Sequence, residues 1–184
     1  MIRSIYHFFF HTLAGWRIVS DLPKDLERYI VLVAPHTSNF DFFLGISCRS
    51  LIPMGDVKFL AKESLFKPPL GWFFRYMGGY PVVRSKSMNQ VDTVVAMFDR
   101  GEIHKTTITP EGTRKYQPIW KTGFHYISRK ANVPIVLCAF DYPNKQVVVS
   151  GPFPLTDDLE GDIARIKEWC RPYRGRNPED GIRY

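Results

Sequence analysis

His36 and Asp41 stand five residues apart in Val33-Ala34-Pro35-His36-Thr37-Ser38-Asn39-Phe40-Asp41, and together they have the chemistry to move a proton. A carboxylate beside a histidine holds one imidazole nitrogen and leaves the other free to accept a proton. Such a pair activates a hydroxyl. The residues just before it, Ile30 to Ala34, form an apolar run that reads as a buried strand. A polar loop beyond a strand end is where an open α/β sheet places its chemistry. The same residues allow a plainer reading. Ser38 followed three residues later by Asp41 has the form of a capping box, in which Asp41 only favours a helix start.

Three further segments carry chemistry. Thr109-Pro110-Glu111-Gly112-Thr113-Arg114 also follows an apolar strand. Gly112 permits a tight turn, Glu111 and Thr113 bond a polar substrate or fix the loop, and Arg114 offers a donor fork suited to phosphate. Alone, this segment also reads as a surface turn with a solvated ion pair. Gly78-Gly79-Tyr80-Pro81-Val82-Val83-Arg84 ends a strand on an arginine, which either joins Arg114 in clamping a phosphate or lies in water. Val133-Pro134-Ile135 places a proline at the start of an apolar strand, which also fits an edge strand.

In order and spacing, the four segments resemble the glycerolipid acyltransferase family, best known for 1-acyl-sn-glycerol-3-phosphate acyltransferases. His36 to Asp41 matches the family's H-x4-D block, and Pro110 to Arg114 matches P-E-G-T-R residue for residue. Gly78 to Arg84 and Val133 to Ile135 match its second and fourth blocks, and Lys121 and Gly123 its lysine-x-glycine. Thr109 departs from an aromatic residue common there, and Leu137 from a second proline. The resemblance implies His36 as general base and Asp41 as its orienting partner. It implies Arg84, Glu111, Gly112, Thr113 and Arg114 as substrate-binding residues. The reaction would move a fatty acyl group from acyl-coenzyme A or acyl carrier protein to a lysophospholipid hydroxyl, most simply that of 1-acyl-sn-glycerol-3-phosphate. Another lyso-lipid, such as a lyso-aminolipid, is the alternative acceptor. No metal or cofactor is expected. A lipid hydrolase with Ser38 as nucleophile is the rival, but the sequence has no Gly-x-Ser-x-Gly turn.

Strand-like and helix-like segments alternate through the chain, which implies an α/β fold with a mostly parallel central sheet flanked by helices. Strands are expected at Ile30 to Ala34, Val57 to Ala61, Tyr80 to Arg84, Ile103 to Thr109, Val133 to Phe140 and Lys145 to Ser150. Helices are expected at Asn39 to Leu51, Pro69 to Met77, from Ser87 to Gly101, at Lys121 to Lys130 and from Asp157 onward. Phe66 to Tyr76 reads as the wall of an acyl-chain groove or as core. Residues 1–20 are expected to form an amphipathic helix, 21–170 the acyltransferase domain and 171–184 a loosely held polar tail. In the first of these, Ile5, Phe8, Phe9, Leu13 and Trp16 make an apolar stripe that either meets lipid or packs on the domain.

The 184 residues suit one core, and 45% hydrophobic content excludes a disordered chain. A net charge of +7 attracts anionic lipid, acidic substrates or nucleic acid. A non-catalytic binding module would leave the ordered motifs unexplained, so no nucleic-acid partner is expected. Three widely spaced cysteines argue against a disulfide framework and for a reducing compartment. With no transmembrane run and no signal peptide in sight, the expected location is cytoplasmic, peripheral on the inner membrane face.

Overall fold

A computed structural model describes residues 10, 12, 14–52, 54–82 and 90–184. Among these, the strands are β1 (Arg17–Ser20), β2 (Tyr29–Val33), β3 (Lys58–Lys62), β4 (Gly79–Val82), β5 (Lys105–Ile108), β6 (Ile135–Asp141) and β7 (Gln146–Phe153). The helices are α1 (Phe40–Leu51), α2 (Gly71–Tyr76), α3 (Gln90–Asp99), α4 (Gly123–Ala131) and α5 (Leu159–Cys170), with a short 3-10 helix at Glu63–Phe66. All the strands join one sheet in the order β1-β7-β6-β2-β5-β3-β4. The run β6-β2-β5-β3-β4 is parallel throughout. β7 turns back antiparallel to β6, and β1 lies parallel to β7.

The central strands are buried on both faces. Every residue of β2 and β6 is buried, as befits parallel strands covered by helices on both sides. Side chains alternate between the faces. Ile30 and Leu32 join Phe98, Phe124, Ile127 and Ile166 from α3, α4 and α5. Val31 and Val33 face the other way, toward Leu44 and Cys48 of α1. Each fully buried aliphatic side chain of this kind contributes about 1.5–3 kcal/mol. The alternation thus sends one set of side chains to α1, together with Phe10, Trp16, Leu22, Met54 and Val57, and the other set to three helices.

Several expectations need correcting. Arg17–Ser20 is strand, not the end of an N-terminal helix. It is a four-residue, largely exposed edge whose partner, β7, is more than a hundred residues away, so local pattern does not reveal it. Trp16 is buried and meets Tyr142 edge-on at 5.0 Å, so this part of the apolar stripe packs on the domain. The rest of the stripe, at residues 1–9, 11 and 13, lies outside the described residues, as do Arg84 and the expected capping box from Ser87. β6 is internal rather than an edge; Pro134 precedes it, and its carbonyl accepts from Ile30 N–H at 2.9 Å. The tail is not loosely held. Arg174 O accepts from Tyr142 N–H at 3.0 Å, and Asn177 donates twice to Thr37.

Candidate active site

The parallel strands bring their carboxyl ends to one edge. There the loop after β2 carries His36, the loop after β5 carries Glu111 to Arg114, and the turn after β6 carries Tyr142. His36 Nδ1 lies 3.0 Å from Asp41 Oδ2. The same oxygen accepts from the N–H groups of Thr37 and Ser38, each at 3.0 Å. Oδ1 accepts the Tyr142 hydroxyl at 2.5 Å. Asp41 is only 2% exposed, so these bonds take the place of water around a buried carboxylate. A carboxylate flanked by backbone donors accepts, so Nδ1 is the donor of this pair, and in the neutral ring Nε2 carries the lone pair. The His36 side chain is 19% exposed and reaches the cleft. The capping bonds are formed as well: Asp41 Oδ2 accepts the Ser38 N–H three residues back and Ser38 Oγ accepts the Phe40 N–H, so Asp41 both opens α1 and holds the imidazole. Asn39 is the N-cap and makes no side-chain cap bond, while Asp41 folds back onto the loop.

Glu111 braces the loop that carries His36. It is buried, and its Oε2 accepts the His36 backbone N–H at 2.9 Å. Of the two roles the residue type allows, bracing the loop is the one formed. Burial pushes its carboxyl up to about 8; the His36 N–H partly opposes this, and Asp41 adds to it. Gly112 adopts φ +67°, with its N–H on Thr109 O at 3.1 Å. A Cβ there would lie 2.5 Å from Lys121 Nζ, so the third block and the lysine after it pack together. Thr113 is exposed and borders neither cavity described below. Arg114 is exposed and makes no ion pair among the described residues.

Behind His36, a cavity of about 470 Å³ runs between α1 and the sheet. Val31, Val33, Phe42, Ile46, Cys138 and Phe140 supply apolar walls, and His36 and Arg114 stand among the lining residues. From the aromatic segment Phe66 to Tyr76, only Phe74 reaches it. The helix over the motif loop and the inner strands, rather than the aromatic segment, therefore supply the wall described here. Burial, and next the nearby Asp41, push the Cys138 thiol up to about 12, and burial likewise raises Cys48, so neither cavity cysteine is an activated nucleophile. Ser38 Oγ accepts from Phe40 N–H at 3.1 Å, and among the described residues no hydrogen bond joins it to the His36 ring.

A family model described as Acyltransferase matches residues 17–141, from the first residue of β1 to the last of β6. This chain belongs to the acyltransferase family. It is 30% identical over 118 residues to the 1-acyl-sn-glycerol-3-phosphate acyltransferase of Saccharomyces cerevisiae, a match covering 60% of this chain and 38% of that protein. The chain thus spans well under half the length of that relative. The fold is similar to the crystal structure of the 1-acyl-sn-glycerophosphate (LPA) acyltransferase PlsC from Thermotoga maritima. That superposition has a TM-score of 0.62 at 19% identity and covers 93% of this chain and 77% of that one.

Two side chains at this candidate site were not singled out from sequence. Tyr142 lies between the expected strands and was assigned no role, yet it holds Asp41. Burial, then the bond to Asp41, raise its phenol, which keeps the hydroxyl a donor. Arg176 was placed in the tail, yet it borders the cleft beside Ser38, Asn39 and Arg114. The Tyr-Pro-Asn-Lys turn after β6 hinted at the first; no local pattern marks the second.

Proposed function

We propose that this chain transfers a fatty acyl group from a thioester to the free hydroxyl of a lysophospholipid, with 1-acyl-sn-glycerol-3-phosphate the best-supported acceptor. One observation carries the reading: an imidazole held by a buried carboxylate stands where an apolar cavity meets an arginine that has no carboxylate partner among the described residues. His36 Nε2 takes the proton of the acceptor hydroxyl as its oxygen attacks the thioester carbonyl carbon. The C–S bond breaks, and the imidazolium returns the proton to the departing sulfur. Asp41 steadies the imidazolium between these steps. The cavity receives the acyl chain, and Arg114 meets the acceptor's anionic headgroup. Both acyl-coenzyme A and acyl carrier protein are candidate donors.

A peripheral membrane position fits the surface near the cavity. Leu65, Leu70, Trp72, Phe73 and Tyr76 are exposed, and Lys62, Lys67 and Arg75 flank them. Exposed aromatics beside cations suit an anionic lipid interface. Among the described residues, no helix is long and apolar enough to cross a membrane.

The deciding experiment is an acyl-transfer assay over a panel of lysolipids with both donors. Transfer to the phosphate-bearing lysolipid at the highest kcat/KM is expected. Preference for a lyso-aminolipid would reassign the acceptor, and hydrolysis without transfer would overturn the proposal.

A further inference from the structure

We propose that Arg176, together with Arg114, forms a binding site for a phosphate monoester at the mouth of the active-site cleft; the nature of the ligand rests on the acyl-transfer reading above. An open depression of about 500 Å³ lies beside the apolar cavity and shares Asn39, Phe43 and Arg114 with it. Lys115, Arg176 and Asp180 complete its charged rim. Lys115 Nζ is paired with Asp180 Oδ2 at 3.0 Å. Among the described residues, neither Arg114 nor Arg176 has a carboxylate partner, so two guanidinium groups border one polar hollow.

Arg176 is held there by both neighbours. Asn177 N–H donates to Thr37 Oγ1 at 3.2 Å, and its Nδ2 donates to Thr37 O at 2.9 Å. Gly175 is buried against the same residue; a Cβ on it would lie 2.4 Å from Thr37 Oγ1. Thr37 follows His36 directly, so the tail fixes Arg176 at a set position relative to the proposed base. Its guanidinium stacks over Phe40 with 5.5 Å to the ring centroid, which limits its swing. Planar donor forks from two segments suit the oxygens of a dianion. A phosphate monoester carries about −1.5 to −2 near neutral pH, matching two arginines better than one. The acceptor's headgroup and the ribose phosphate of coenzyme A are both such groups.

The test is equilibrium binding to the full chain and to its Arg176→Ala and Arg176→Lys variants. The probes are short-chain 1-acyl-glycerol-3-phosphate against 1-acyl-glycerol, and coenzyme A against dephospho-coenzyme A. Arg176→Ala should weaken one phosphate-bearing probe about tenfold or more while leaving its phosphate-free counterpart unchanged. Arg176→Lys should keep part of the affinity. A loss confined to the lysolipid pair assigns the headgroup; a loss confined to the coenzyme pair assigns the donor. Equal losses with and without the phosphate, no loss at all, or no binding of either phosphate-bearing probe by the unaltered chain would overturn the site. Because the readout is binding, it decides on Arg176 even if the unaltered chain shows no transfer, an outcome that would count against the acyl-transfer reading alone. An unchanged unfolding midpoint for Arg176→Ala separates local loss from misfolding.

Discussion

The Glu111 carboxylate accepts the backbone N–H of His36 at 2.9 Å, joining the loop after β5 to the loop after β2. Both ends of this bond lie at the edge of the sheet, where two neighbouring parallel strands finish. The P-E-G-T-R block therefore acts on the H-x4-D block through structure, by setting where the imidazole starts.

This buried carboxyl gives a pH signature to stability. In the folded chain burial lifts it to about 8, above its unfolded value. The folded state then binds the proton more tightly, so the contribution is full below the unfolded value and is lost as pH rises toward 8. Glu111→Gln keeps an acceptor oxygen without the charge. Urea unfolding from pH 5 to 8 should show stability falling in the parent by something on the order of a few kcal/mol and a flatter profile in the variant. Parallel profiles would show that Glu111 stays ionised when buried.

Tyr142 should matter through Asp41 rather than through substrate. Tyr142→Phe leaves the ring against Trp16 but removes the hydroxyl that donates to Asp41 Oδ1, a loss worth about 1–3 kcal/mol in a buried site. The expected result is a fall in kcat of about tenfold or more with the acceptor KM little changed. A rise in KM at constant kcat would place Tyr142 in substrate binding instead.

Much of this was legible from the sequence. Continuous apolar runs gave the interior strands β2 and β6, because a strand buried on both faces has no polar side to show. His36 and Asp41 were recognisable because their loop follows such a run, whereas Arg114 follows the polar strand β5 and was legible from the P-E-G-T-R block itself. What escaped depends on contacts between distant segments. β1 exists by pairing with β7, and Arg176 reaches the cleft because its neighbours bond Thr37. The role of Glu111 was open in sequence, since a carboxylate in a loop serves a substrate or a backbone amide equally well; its bond to the His36 N–H depends on two distant loops meeting.

Gly45 provides a test of the cavity. A Cβ added there would sit 3.8 Å from Phe140 Cζ, an ordinary contact, and Gly45 lines the cavity wall. Gly45→Ala should cost little. Gly45→Leu should fill part of the roughly 470 Å³ space and shift donor preference toward shorter acyl chains, read as the ratio of kcat/KM across a chain-length series. An unchanged ratio would put the acyl chain elsewhere.

The central claim is that the His36 imidazole takes the proton of the acceptor hydroxyl. The direct measurement is the turnover of His36→Ala with the preferred acceptor and donor at saturation, alongside its unfolding midpoint. The account predicts a fall in kcat of about 10²–10⁴ with the fold retained. Turnover equal to that of the unaltered chain, in a variant that folds normally, would contradict it.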